Sequence, residues 1–160
     1  MDARRSKINY YLDIADAAQE RSTCLRRRYG AIIVRDDEIV ATGYNGAPRG
    51  RKNCTDLGFC ARKSMNVPAG ERYELCRSVH AEANAIISAA RRDMMGSTLY
   101  LVGRSADTGE YNPDTTPCSM CRRLIINAGI SRVVCRTGAE EYTVTDVTEW
   151  IDKDDSLQNR

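Results

Sequence analysis

The feature that most constrains this chain is where it places its few soft metal donors. Its 160 residues include one histidine, His80, in the stretch SVHAEANAII at 78–87, and a cysteine pair, Cys118 and Cys121, in TPCSMC at 116–121. His80 stands at the start of an apolar helical pattern, and the two cysteines open another. Side chains three apart on a helix point the same way. The dipole and free N–H groups of a helix N-terminus favour thiolates there. Two thiolates and a neutral imidazole make three ligands for Zn²⁺, with charges that cancel the metal's, and leave the fourth tetrahedral position to water, as a catalytic zinc requires. Glu82 follows His80 by two residues and need not be a ligand. A carboxylate beside an acidified water can take its proton and pass it to a leaving nitrogen. Alone, a histidine is more often structural, and a CxxC pair is as readily redox-active or structural. A zinc-held water beside such a carboxylate suits hydrolytic removal of an amine from an aromatic ring, and HxE, helix, strand, PCxxC, helix in that order is a stronger signal than either element alone.

The surrounding pattern alternates helices and strands. Ile8, Tyr11, Leu12, Ala15 and Ala18 recur at helical spacing and predict a first helix over 5–19. Residues 29–34 and 39–43 read as strands joined by a turn at Asp36-Asp37, a hairpin. From 44 to 77 the pattern breaks into glycines, prolines and three cysteines, and a loop of that length is functional or pinned. A helix is expected over 80–91 and a strand over 98–102. A polar loop is expected over 103–116, then a helix over 118–127 stopped by Gly129. A strand follows at 132–136, then a further strand at 142–144 and a short helix through Val147, Trp150 and Ile151. No repeat or linker interrupts this, so residues 1–160 read as a single domain. The fold class is an α/β three-layer α/β/α sandwich with a mixed central sheet.

Charge excludes less than it suggests. With 24 basic and 22 acidic residues the net charge is +2, which predicts neither a nucleic-acid partner nor a membrane. No apolar run is long enough to span a bilayer, and the charged N-terminus lacks the apolar centre of a secretion signal. A cytoplasmic protein is expected. There its seven cysteines would be reduced, metal-bound or buried rather than paired in disulfides. The basic runs at 26–28 and 49–52 are either solvated faces or an anion site.

H-x-E…P-C-x-x-C is the signature of zinc-dependent nucleobase deaminases. The chain resembles the cytidine and deoxycytidylate (dCMP) deaminase family on three stretches: GYNGAPRG at 43–50, HAEANAI at 80–86 and PCSMCRRLIINAGI at 117–130. The likeness runs from about Thr23 to Arg136, and the first stretch narrows it to the dCMP branch. The resemblance implies a cytidine deaminase-like fold, zinc ligation by His80, Cys118 and Cys121, proton shuttling by Glu82, and conversion of dCMP and water to dUMP and ammonia. It places Asn45 near the nucleoside. It also implies a homo-oligomer and, in some members, a dCTP or dTTP effector near the 45–50 turn, with which Mg²⁺ would travel.

The substrate's phosphate would need cationic partners. Arg28 and Arg49 join Asn45 as candidate substrate-binding residues, and Arg26 and Arg27 stand beside them. Cys24, Cys54, Cys60 and Cys76 either hold a second, structural zinc or are buried or free thiols. Some members of the branch bind a second zinc with cysteines near the positions of Cys24 and Cys54. Two departures stand out. The 103–116 segment is longer than the family's strand-to-PC connection and is expected to overhang the metal site, and the residue before PC is Thr116. Other cytosine nucleosides and nucleotides (cytidine, CMP, dCTP), adenosine in tRNA, and a non-catalytic zinc-stabilised binding module are the competing readings.

Overall fold

The computed structural model describes residues 3–154 and Leu157. Helix α1 (Lys7–Gln19) begins where the Ser6 hydroxyl accepts the Asn9 N–H at 3.2 Å, the usual way a serine satisfies an unpaired donor of a first turn. Strands β1 (Arg27–Arg35) and β2 (Glu38–Tyr44) form the expected hairpin. Asp36 and Asp37 both take positive φ, 51° and 64°, the twist that a two-residue connection between antiparallel strands demands. β3 (Thr98–Ser105) pairs antiparallel with β1 on its other side and parallel with β4 (Arg132–Arg136), and β5 (Tyr142–Asp146) closes the edge antiparallel to β4. The sheet order is β2-β1-β3-β4-β5.

Alternation along the strands builds two cores. Ala31, Ile33, Leu99, Leu101, Val133 and Cys135 face helices α4 (Ala81–Ile87) and α6 (Ser119–Ala128). Ile32, Val34, Tyr100, Val102 and Val134 face α1 through Tyr11, Leu12 and Ala15. The three-layer sandwich with a mixed sheet therefore stands as expected from the sequence, and Cys135 is packing. Two strand glycines allow the close approach between layers. A Cβ on Gly30 would lie 2.1 Å from the Ala15 carbonyl oxygen of α1, and one on Gly43 would lie 2.3 Å from the Ala81 carbonyl oxygen of α4. Both obstacles are backbone, so neither can give way. Gly43 thus sets the depth at which α4, and the residues at its start, sit on the sheet.

Three boundaries differ from expectation. The helix expected over 80–91 ends at Ile87, where the Ser88 hydroxyl donates back to the Asn84 carbonyl, a competition that serine offers a helix. Ala90 is extended and a separate turn, α5 (Arg91–Met94), follows. β3 continues three residues into the segment read as loop, because Gly103, Arg104 and Ser105 pair with Tyr29, Arg28 and Arg27. The long irregular stretch holds only the short helices α2 (Cys54–Leu57) and α3 (Ala61–Ser64) and one 3₁₀ turn at Tyr73–Leu75. Its ends are tied where Gly46 and Val79 exchange backbone hydrogen bonds of 3.2 and 2.7 Å. The excursion therefore leaves and returns one residue before His80. Helix α7 (Thr148–Asp152) follows β5. Among the described residues no helix is long and apolar enough to cross a membrane.

Candidate metal centre and its cleft

His80 is the N-cap of α4 and Cys118 the N-cap of α6. Both helices pack on the same sheet face, so their N-termini meet. The His80 Nδ1 lies 3.4 Å from each of the Cys118 and Cys121 sulfurs, and the three donor atoms all fall within 4.8 Å of one another. Cys121 is one turn into α6 and buried. The donor set is one imidazole nitrogen and two sulfurs, the chemistry that Zn²⁺ prefers. The residues present fit that ion.

The electrostatics of the cluster express crowding. A hydrogen bond with Cys121, and then His80, draws the Cys118 thiol down against burial, while its partnership with Cys118 and burial push Cys121 up. His80 is raised first by its hydrogen bond with Cys118. Glu82 sits in the first turn of α4, 4% exposed. Burial pushes its carboxyl up, with His80 pulling the other way. A glutamate this deep beside three metal donors is costly unless something uses it.

A cleft of about 140 Å³ opens over the cluster, with His80, Glu82 and Cys118 on one wall and Arg26, Arg27 and Tyr29 among its other lining residues. Asn45 lines it too, but its carboxamide already has structural work. Its Oδ1 accepts from the Ser22 hydroxyl and from the Tyr29 N–H at 2.9 Å, and its Nδ2 donates to the Arg27 carbonyl at 3.0 Å. Asn45 therefore holds the start of β1 in place and has one N–H left for a ligand.

Two of the anticipated phosphate partners lie elsewhere. Arg28 has the strand parity of Gly30, which faces α1, so it points away from the cleft; Arg27, of opposite parity, lines it. Arg49 is exposed and outside the cleft. The 103–116 segment does not overhang the cluster either. Tyr111 packs on the α1 side, where the Asp16 carboxylate accepts from Arg104 at 2.6 and 2.7 Å and from the Tyr111 hydroxyl at 2.7 Å. Of that segment only Thr116 lines the cleft.

Sequence reasoning missed Arg62 and Tyr73. The Tyr73 ring stands edge-on to the His80 ring at 5.2 Å, and the Arg62 guanidinium covers Tyr73 at 4.5 Å while donating to the Pro68 and Glu71 carbonyls. Together they pin the excursion against the metal donors. No motif marks either residue.

The four remaining candidate cysteines gather around Cys54. Its buried thiol is pushed up first by burial and then by Cys24, Cys76 and Cys60. The Cys24 sulfur accepts the Arg26 N–H and the Cys76 sulfur the Ser78 N–H, each at 3.4 Å. Among the described residues, though, only His80, Cys118 and Cys121 approach to ligand spacing as a group.

Comparison with known proteins follows the same lines. A profile of the cytidine and deoxycytidylate deaminase zinc-binding region matches residues 5–137. A deoxycytidylate deaminase of Mycobacterium phage D29 is 41% identical over 130 residues, 78% of this chain and 90% of that protein. One from Schizosaccharomyces pombe is 37% identical over 134 residues, 84% of this chain. The chain spans 38% of the length of that yeast relative. Among solved structures, the dCMP deaminase of cyanophage S-TIM5 in complex with dCMP and dUMP superposes with a TM-score of 0.56 at 26% identity, covering 84% of each chain.

Proposed function

The chain belongs to the cytidine and deoxycytidylate deaminase family, and on that premise we propose that it hydrolyses dCMP to dUMP and ammonia. One observation carries the reading: a histidine and two cysteines from two helix N-termini meet beside a buried glutamate. His80 and the two cysteines would hold the zinc, which when bound supplies the Lewis acidity that lets water attack at neutral pH. Glu82 carries the proton traffic. Its carboxylate takes one proton from the attacking water and gives it to the ring nitrogen, then takes the remaining proton from the new C4 hydroxyl and gives it to the departing amine, so the reaction balances as dCMP plus water giving dUMP plus ammonia. Arg26 and Arg27 replace Arg28 and Arg49 as partners of the 5′-phosphate, and Asn45 offers its free N–H to the nucleoside.

The direct test is ammonia release by the zinc-loaded protein on a panel of dCMP, deoxycytidine, CMP, cytidine, dCTP and adenosine. We expect dCMP to be turned over best. A preference for adenosine, or silence on every cytosine compound, would refute the proposal.

We further infer that Cys24, Cys54, Cys60 and Cys76 hold a second, structural zinc that draws them together and pins the 47–78 excursion. Metal analysis should then give about two zinc ions per wild-type chain and about one for Cys54→Ser. One ion in wild type would remove this second site. We also infer a homo-oligomer, in which a partner copy would cover the exposed apolar side chains on α4 and α6, Ile87 at 75% and Leu124 at 44%.

A further inference from the structure

The 103–116 segment, which does not reach the metal donors, reaches the cleft by another route. We propose that Asn112 of this segment is a positioning residue that, through the Tyr29 hydroxyl, aims Arg27 at the substrate's 5′-phosphate and so sets a preference for nucleotide over nucleoside. The proposal rests on the dCMP reading above and deepens it.

Asn112 is held as a fixed post. Its N–H donates to the Gly103 carbonyl at 2.9 Å, its carbonyl accepts from the Thr115 hydroxyl at 2.7 Å, and its Oδ1 accepts from the Asp114 N–H at 3.2 Å. What remains is Nδ2, which donates to the Tyr29 hydroxyl oxygen at 3.2 Å. Tyr29 is fixed as tightly. A Cβ on Gly103 would meet the Tyr29 ring at 2.4 Å and the Thr115 hydroxyl at 3.0 Å, so the ring lies on the glycine with the threonine at its border. Its backbone N–H and carbonyl are both taken by Asn45, at 2.9 and 3.3 Å.

A phenol that already accepts from Asn112 keeps a second lone pair and its own hydrogen. Its neighbour on the same strand face is Arg27, two residues earlier, and both line the cleft. Burial raises the phenol's pKa, and the nearby Arg27 guanidinium and the Asn112 amide oppose that rise. Arg27 is otherwise an exposed side chain with many rotamers. A fixed acceptor removes part of that freedom before substrate arrives, which is where preorganisation raises affinity. A guanidinium aimed this way can present its remaining N–H groups to a phosphate.

Tyr29→Phe keeps the ring on Gly103 and deletes only the hydroxyl, and Asn112→Ala deletes the post. Each should raise KM for dCMP about tenfold, the loss expected of one hydrogen bond to a charged group, with kcat for dCMP retained. The kcat/KM for deoxycytidine, which carries no phosphate, should stay at the wild-type value. In an Arg27→Ala background, which weakens dCMP binding by itself, adding Tyr29→Phe should change nothing further. Equal losses on dCMP and deoxycytidine, a fall in kcat, or an additive effect with Arg27→Ala would overturn the proposal, because a merely structural role predicts each of these. Failure of wild type to deaminate dCMP would instead remove the functional reading, and this inference with it.

Discussion

Glu82→Gln is expected to lower turnover of dCMP by about 10²–10⁴-fold, the usual contribution of a positioned general acid and base, while the protein keeps its catalytic zinc. The two side chains are nearly the same size, so the buried first turn of α4 should repack without a cavity. An uncharged amide is also no harder to bury than a carboxylate. What the amide lacks is any capacity to accept a proton at the oxygen and release it to nitrogen. Because Glu82 is not among the three clustered donors, metal content should not follow activity. Steady-state ammonia release and metal analysis on the same preparation check both halves. A zinc-stabilised binding module predicts no change in its function, so retained wild-type turnover in Glu82→Gln would end the case for Glu82 as the proton carrier.

Much of this site was legible because its determinants are local. A helix N-terminus places side chains at fixed offsets, so HxE and PCxxC announce their geometry within a few residues. Only the meeting of two such ends is non-local, and the intervening strand fixes it: α4 and α6 pack against one face of the sheet because the apolar residues of odd number in β1 and β3 face that way. The start of β1 was harder. Arg27 and Arg28 carry no apolar alternation, and their partners Arg104 and Ser105 are polar too, so that end of the pairing leaves no hydrophobic trace. Without that trace the strand reads as starting at Tyr29, and the parity with Gly30 that turns Arg28 away from the cleft stays hidden.

The excursion from 47 to 78 was legible as pinned but not as shaped. Arg62 and Tyr73 act through one stacking contact and two carbonyl acceptors, none of which has a periodicity. The 103–116 segment misled for a related reason. Sequence separation placed it just before Pro117, and so over the metal donors. Its path is decided instead by an ion-paired network with Asp16, 88 residues from Arg104. A partly buried arginine–carboxylate pair sharing a tyrosine hydroxyl outweighs chain proximity, and it draws the segment to the α1 side. Asn112, Thr115 and Thr116 are left facing the other way.

His80→Ala is expected to abolish turnover and to remove one zinc per chain. Three donors are few enough that losing one leaves two sulfurs, which need a neutral third partner to balance and close the shell. Even loss of an outer partner that merely orients a ligand costs roughly 10–100-fold in metal affinity or activity, and a direct ligand should cost more. The fold itself should survive, since the apolar cluster beneath α4 and α6 is built from Ala81, Ala85, Ile125 and Ala128 and does not pass through the imidazole. Thermal stability should nonetheless fall, because a metal bound only by the native state stabilises it by mass action. Chelation of wild type should reproduce the same loss, and added zinc should restore wild type but not the variant. Measured in a Cys54→Ser background, the count should fall from about one ion to about none, which separates this centre from the four-cysteine one. Undiminished zinc together with undiminished turnover in His80→Ala would mean that the imidazole does no more than pack against Tyr73 at the start of α4, and the metal would have to be sought elsewhere.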